Sequence, residues 1–143
     1  MTPDLERFLT AQNPVYDQVL RELRAERKTS HWMWFIFPQL AGLGRSRTAA
    51  FYALGSLAEA CAYADHPVLG ARLRECTTLV LASSVRSLTA IFGSIDALKF
   101  QSCMTLFVLA AGNNLLFQHA LDRFCDGQRD EVTIRLLGGT ATK

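Results

Sequence analysis

Residues 94–111 read SIDALKFQSCMTLFVLAA. After Lys99 this run carries no formal charge, and none follows until Asp122. Ser94 offers a helix cap, and Asp96 suits the positive end of a helix dipole. A helix that is apolar nearly all round belongs in the middle of a helical domain. The pattern predicts an all-α fold: a single compact multihelical domain with a central buried helix over residues 94–111.

The flanking segments carry helix signals too. Thr2-Pro3-Asp4 and Asn13-Pro14 each set a proline at a first helical position behind a capping side chain. From Val15 to about Arg27, the residues Val15, Val19, Leu20 and Leu23 form one apolar stripe, with Asp17, Arg21 and Arg24 outside it. Ser46 caps a helix running through Ala49, Tyr52 and Leu54. Ser56 and Glu59 stand at capping-box spacing and open another that reaches about Ala64. His66-Pro67 separates it from a helix over about 68–82. Ser87 begins a brief turn that ends at Gly93. Helices over about 115–125 and 130–137 follow, joined by a turn at Asp126-Gly127. Gly138-Gly139 ends the order and leaves residues 138–143 as a frayed tail. No linker or repeat divides the 143 residues, so one domain spans 1–143.

Residues 29–44 differ. His31 is the one ionisable side chain between Lys28 and Arg45. Trp32, Trp34 and Ile36 alternate with Met33, Phe35 and Phe37. A period of two suggests a short extended piece buried on both faces, or an irregular segment crossing the core. Pro38 ends regular pairing, and a lone strand has no partner, so no sheet is expected.

Fifteen Lys and Arg against 13 Asp and Glu give a net charge of +2. That balance is too weak to argue for nucleic acid or an anionic membrane. The excess comes from Arg45 and Arg47, inside an acid-free stretch from Thr29 to Ala58. The four cysteines, Cys61, Cys76, Cys103 and Cys125, form no C-x-x-C pair, so no metal site is expected. They read as small apolar residues in a reducing compartment. The N-terminus lacks the pattern of a signal peptide, and no apolar run nears the ~20 residues of a membrane span. A cytoplasmic protein without membrane contact is expected. No motif calls for a cofactor.

Three places can carry chemistry, each against a plain structural alternative. The segment from Lys28 to Gln39 packs His31, Trp32 and Trp34 close together. It can form a ring-stacking wall with His31 as acid or base, or it can be core. Gly44-Arg45-Ser46-Arg47 sets two arginines at a helix start with no acid in the first turn. This arrangement suits a phosphate or carboxylate, or it is a solvated turn. Asp96, Lys99 and Ser102 on the long helix can floor a polar pocket or satisfy one another internally.

The run SHWMWFIFPQLAGLGRSRTAAFYAL closely resembles the bacterial and fungal family called domain of unknown function 1810. The resemblance continues through EACAYADHPVLGARLRE, IFGSIDALKFQSCMTLF and FCDGQRDEVTIRLL. It covers nearly the whole chain. Members have sometimes been labelled calpastatin, with no sequence logic behind the label. The resemblance implies a compact multihelical fold and no established activity. Glu26 stands where members usually have glycine, Ala64 where leucine is usual and Cys125 where phenylalanine is usual. A fainter similarity, in the order of a helix, a basic residue, aromatics and a late Lys-Phe, points to the superfamily that processes ADP-ribose and related N-glycosides.

The expected function is that of a small-ligand pocket protein, with an enzyme on a phosphate-bearing N-glycoside such as an ADP-ribose derivative as its sharper form. Lys28, Arg45, Arg47 and the Ser46 helix start would hold phosphate, and Lys99 would line the polar floor of the pocket. Trp32 or Trp34 would stack a ring, with Gln39 and Ser102 as polar contacts. His31 and Asp96 are the catalytic candidates. The alternative is a non-catalytic interaction or regulatory module without a small-molecule site.

Overall fold

The computed structural model describes residues 4–85 and 87–138. Ten helices occur among the described residues: α1 (Glu6–Gln12), α2 (Tyr16–Arg24), α3 (Met33–Ile36), α4 (Arg47–Tyr52), α5 (Leu57–Asp65), α6 (Leu69–Leu81), α7 (Leu88–Phe92), α8 (Ser94–Ala110), α9 (Leu115–Cys125) and α10 (Glu131–Leu136). The all-α expectation holds. Leu40 and Leu54 make one isolated parallel bridge, and no strand forms among the described residues.

α8 is the axis of the domain. α5, α7, α9 and α10 pack around it, and α6 closes the far side against α2, α5 and α9. Every residue from Ser102 to Val108 is buried. Phe100, on the turn before, meets Phe37, Phe92 and Phe124 at centroid distances of 5.1, 5.3 and 6.4 Å. The uncharged sequence thus fills the centre. The first two turns of α8 reach the surface, where Asp96 and Lys99 lie beside exposed Ile95 and Leu98.

Local signals decide most boundaries. The Ser46 and Ser56 hydroxyls accept N–H bonds from Ala49 and Glu59, capping α4 and α5. The return bond of the capping box is displaced by one residue: Glu59 accepts from the Gly55 N–H at 2.7 Å. Ser87 caps α7. α10 is capped by the Asp130 carboxylate.

Four expectations are corrected. Asn13 does not cap α2, because its side-chain oxygen accepts from Arg72 at 2.9 Å instead. Ser94 is the first residue of α8 and not its cap. The cap is Gly93, whose φ of +86° lets the chain pass from α7 into α8 without a linker. The third correction concerns the aromatic run, where Met33–Ile36 form a helical turn between Trp32 and Phe37 and not an extended piece. Trp32, Met33, Ile36 and Phe37 are buried while Trp34 and Phe35 are half-buried. That burial follows the helical period, whereas the alternation lay in residue type alone. Lastly, the turn expected from Ser87 to Gly93 contains a short helix, Leu88–Phe92, between those two caps. At the N-terminus, Asp4 accepts from the Glu6 N–H at 2.9 Å. The Thr2-Pro3 signal lies outside the described residues, as does most of the 138–143 tail.

Candidate functional site

α2 ends in a short loop that lies across the start of α8. The Lys28 N–H donates to the Ile91 carbonyl at 2.8 Å, pinning this loop to α7. The Lys28 side chain, 8% exposed, then reaches Asp96 in the first turn of α8, with Nζ 2.8 Å from Oδ2. Lys99, one turn further along α8, approaches the other carboxylate oxygen at 3.3 Å. Each ammonium also lies over an indole: Lys28 is 5.3 Å from the Trp32 ring centroid and Lys99 5.0 Å from that of Trp34. Two cations, one anion and two indoles therefore meet where α8 surfaces. Lys28, Asp96 and Lys99 by themselves sum to one positive charge, with Lys28 mostly out of water and the Glu22 carboxylate bonded to the indole beneath it.

The two tryptophans have different roles. Trp32 is 1% exposed and belongs to the core, tilted against Phe37 and edge-on to Phe92. Trp34 is half-buried. It also lines a narrow cleft with Gln39, Leu40, Gly44, Ala49, Tyr52 and Ala53, with room for about one water molecule. A Cβ on Gly44 would fall 2.4 Å from the Ala49 Cβ, so this wall of the cleft admits no side chain there. Arg7 holds the wall to α1 by donating to the Phe51 and Ala53 carbonyls at 2.8 and 2.9 Å.

Glu22 lies beneath the cluster, 4% exposed. Its carboxylate accepts from the Thr29 N–H at 2.7 Å, the Ser30 N–H at 3.0 Å, the Trp32 indole at 2.9 Å and the Gln18 amide at 2.8 Å. The Ser30 hydroxyl donates to it as well. Burial pushes this carboxyl upward, but the bonds from Ser30, Gln18 and Thr29 outweigh it and hold the group well below the usual carboxylate range. The sequence reading passed over Glu22. Its signal was position: Val19, Glu22 and Leu23 share one helix face, so a charge there had to be buried and paired.

The remaining candidates are scattered. His31 is exposed, and its ring joins none of the hydrogen bonds among the described residues. Arg45, Ser46 and Arg47 are exposed. The Ser46 hydroxyl occupies the Ala49 N–H, as expected of a cap, which leaves that N–H closed to an anion. The Ser102 hydroxyl lies 3.1 Å from both the Leu98 carbonyl and the Asp130 carboxylate, apart from the lysines. Thr105 accepts from the Asp130 N–H at 2.8 Å. These groups tie α10 to α8. No set of three His, Cys, Asp or Glu suited to a metal ion occurs among the described residues. The thiols of Cys76 and Cys103 are poor nucleophiles, because burial pushes Cys76 up to about 12 and Cys103 well above its ordinary value.

Fold and site together define a one-domain all-helical protein with a lysine–carboxylate–indole cluster at the start of its central helix. The chain belongs to the family described as protein of unknown function (DUF1810), whose model matches residues 2–137. It is also similar to the crystal structure of the conserved hypothetical protein Rv1873 from Mycobacterium tuberculosis. That likeness has 51% identity and a TM-score of 0.92, and covers 94% of this chain and 96% of the other. No curated protein matches. No helix among the described residues is long and apolar enough to cross a membrane.

Proposed function

We propose that this protein binds a small phosphate-bearing molecule with a planar ring at Lys28, Asp96, Lys99 and Trp34. The observation that carries the reading is the sharing of one carboxylate by two lysines, each packed on an indole. Burying part of an excess cation costs free energy, and an arriving anion offsets that cost. Phosphate oxygens would meet the two ammonium groups. Trp34 offers the ring-stacking face, since Trp32 is enclosed. The ring would stack on the part of Trp34 outside the narrow cleft it shares with Gln39, because that cleft has room for about one water molecule.

The sharper form of the proposal is an enzyme acting on a phosphate-bearing N-glycoside such as an ADP-ribose derivative. Asp96 is its supporting residue. Each of its oxygens holds one ammonium and keeps a lone pair for a sugar hydroxyl or a developing positive charge. The four free cysteines support a cytoplasmic setting for such chemistry.

The test is a thermal-shift screen against inorganic phosphate, nucleoside diphosphates and ADP-ribose. A ligand at ~100 times its Kd adds ~2.7 kcal/mol of apparent stability. ADP-ribose should raise the Tm of the wild type, and Lys28→Met with Lys99→Met should abolish the gain. An equal shift in both proteins would reject the site.

The interaction-module reading draws on Ile95 and Leu98, 71% and 66% exposed on one flank of α8. Light scattering of wild type and Ile95→Ser, Leu98→Ser tests it. A dimer lost in the double variant would favour that reading.

A further inference from the structure

The geometry points to Glu22 as the residue that positions Lys28 and Trp32 for an anion, a role that rests on the ligand reading of the Lys28–Asp96–Lys99 cluster. Lys28 sits on a loop with no helix of its own. Besides the Glu26 contacts to Ser84, two anchors hold that loop next to Lys28. One is the Lys28 N–H bond to Ile91. The other is the Glu22 carboxylate, which collects the next two backbone N–H groups, the Ser30 hydroxyl and the Trp32 indole. Its single carboxylate oxygen Oε1 accepts from Thr29, Ser30 and Trp32 at 2.7, 3.0 and 2.9 Å. The residue immediately after Lys28 and the ring beneath its ammonium are thus fixed to the same atom. Glu22 touches neither ammonium. It acts through the loop and through Trp32.

The chemistry of the donors makes this role specific. A buried carboxylate is costly unless every lone pair is used, and here five donors meet it. In Glu22→Gln one side of the new amide must face donors: turned one way its NH2 meets the Thr29, Ser30 and Trp32 N–H groups and the anchor is lost, and turned the other way its oxygen keeps those bonds under strain. In the second orientation the new NH2 faces the Gln18 amide, whose own oxygen is held by Arg21 at 2.6 Å. One pair of donors must separate, so the loop loosens while the fold survives. Glu22→Ala would leave several donors without a partner and is the poorer test.

Electrostatics and positioning predict opposite signs. Removing a negative charge near an anion site strengthens anion binding if charge alone matters. Removing the anchor of Lys28 and Trp32 weakens it. The experiment is calorimetric titration of pyrophosphate, at fixed ionic strength and well below the melting temperature, into wild type, Glu22→Gln and Thr133→Ala. The last is a destabilised control at the α8–α10 contact. Glu22→Gln should bind about tenfold more weakly, the scale of losing a supporting partner behind a ligand-binding group. Thr133→Ala should bind as the wild type does. The Trp32 indole proton should also move upfield in Glu22→Gln as its charged acceptor is replaced by a neutral amide. Unchanged or tighter binding by Glu22→Gln, or equal weakening in Thr133→Ala, overturns the positioning role. Failure of the wild type itself to bind, or equal binding by Lys28→Met, overturns the ligand reading beneath it.

Discussion

Replacing Trp32 should cost far more stability than replacing Trp34, although the two stand one residue apart in an aromatic run. A large aromatic side chain buries ~150–250 Å2. At ~25 cal/mol per Å2, full burial of Trp32 is worth ~4–6 kcal/mol. Its indole N–H also donates at 2.9 Å to the Glu22 carboxylate. A bond to a charged acceptor contributes ~1.5–3 kcal/mol, and the low end applies because Glu22 keeps four other donors. Relaxation of Phe37 and Phe92 into the space recovers part of the loss, so Trp32→Ala should cost ~5 kcal/mol. Trp32→Phe keeps most of the area and loses the bond, at ~2 kcal/mol. Trp34 is half-buried and covered on one side by the Lys99 ammonium. Trp34→Ala should cost ~1–2 kcal/mol. Urea melts read all three. A loss below about 1 kcal/mol for Trp32→Ala, or a larger loss for Trp34→Ala, would refute the division into a core and a ligand-facing indole.

Asp96→Asn should cost ~2–3 kcal/mol in urea melts, between the values for exposed and buried pairs, because Lys28 and Lys99 lose their shared partner. Phosphate should then stabilise this variant more than the wild type, and equal stabilisation would count against an anion taking the place of the carboxylate. The Glu22 carboxyl is depressed in the folded state, so its contribution is present above its unfolded value near pH 4.5 and is lost as the pH falls through the folded value. Stability measured from pH 5 downward should therefore fall more steeply in the wild type than in Glu22→Gln; parallel curves would contradict the network. Glu26 holds φ at +62°. Glu26→Val should lower the Tm more than Glu26→Gly, since a branched side chain strains that backbone and glycine does not.

The fold was legible in the sequence because its decisive feature is local. Absence of charge across 100–121 states that α8 is enclosed, whatever surrounds it. Ser46, Ser56 and Asp130 likewise mark helix starts by their own side chains. Glu26 was less legible: it takes a left-handed backbone just after α2, and its carboxylate accepts from the Ser84 N–H at 2.6 Å. The site was legible only in pieces. Lys28 and Asp96 are 68 residues apart in sequence (96 − 28), and only the packing of α7 and α8 brings them together. The pair Asp96–Lys99 was readable from helical spacing. The arginines of 45–47 attracted notice through local charge excess, yet they project into solvent while the less conspicuous Lys28 is enclosed. Glu22 was hidden for the opposite reason: a glutamate in a charged helix looks ordinary until the indole it binds is located.

The most direct test of the ligand claim is an NMR titration of the isotopically labelled protein with ADP-ribose, following the two indole N–H resonances. The account predicts that the Trp34 resonance and the backbone amides of Lys28, Asp96 and Lys99 shift together and saturate. The Trp32 resonance, bonded to Glu22, should move much less. Amides at Arg45 and Arg47 should shift little. No saturable change at Trp34, or a response confined to residues 45–47, would contradict the account.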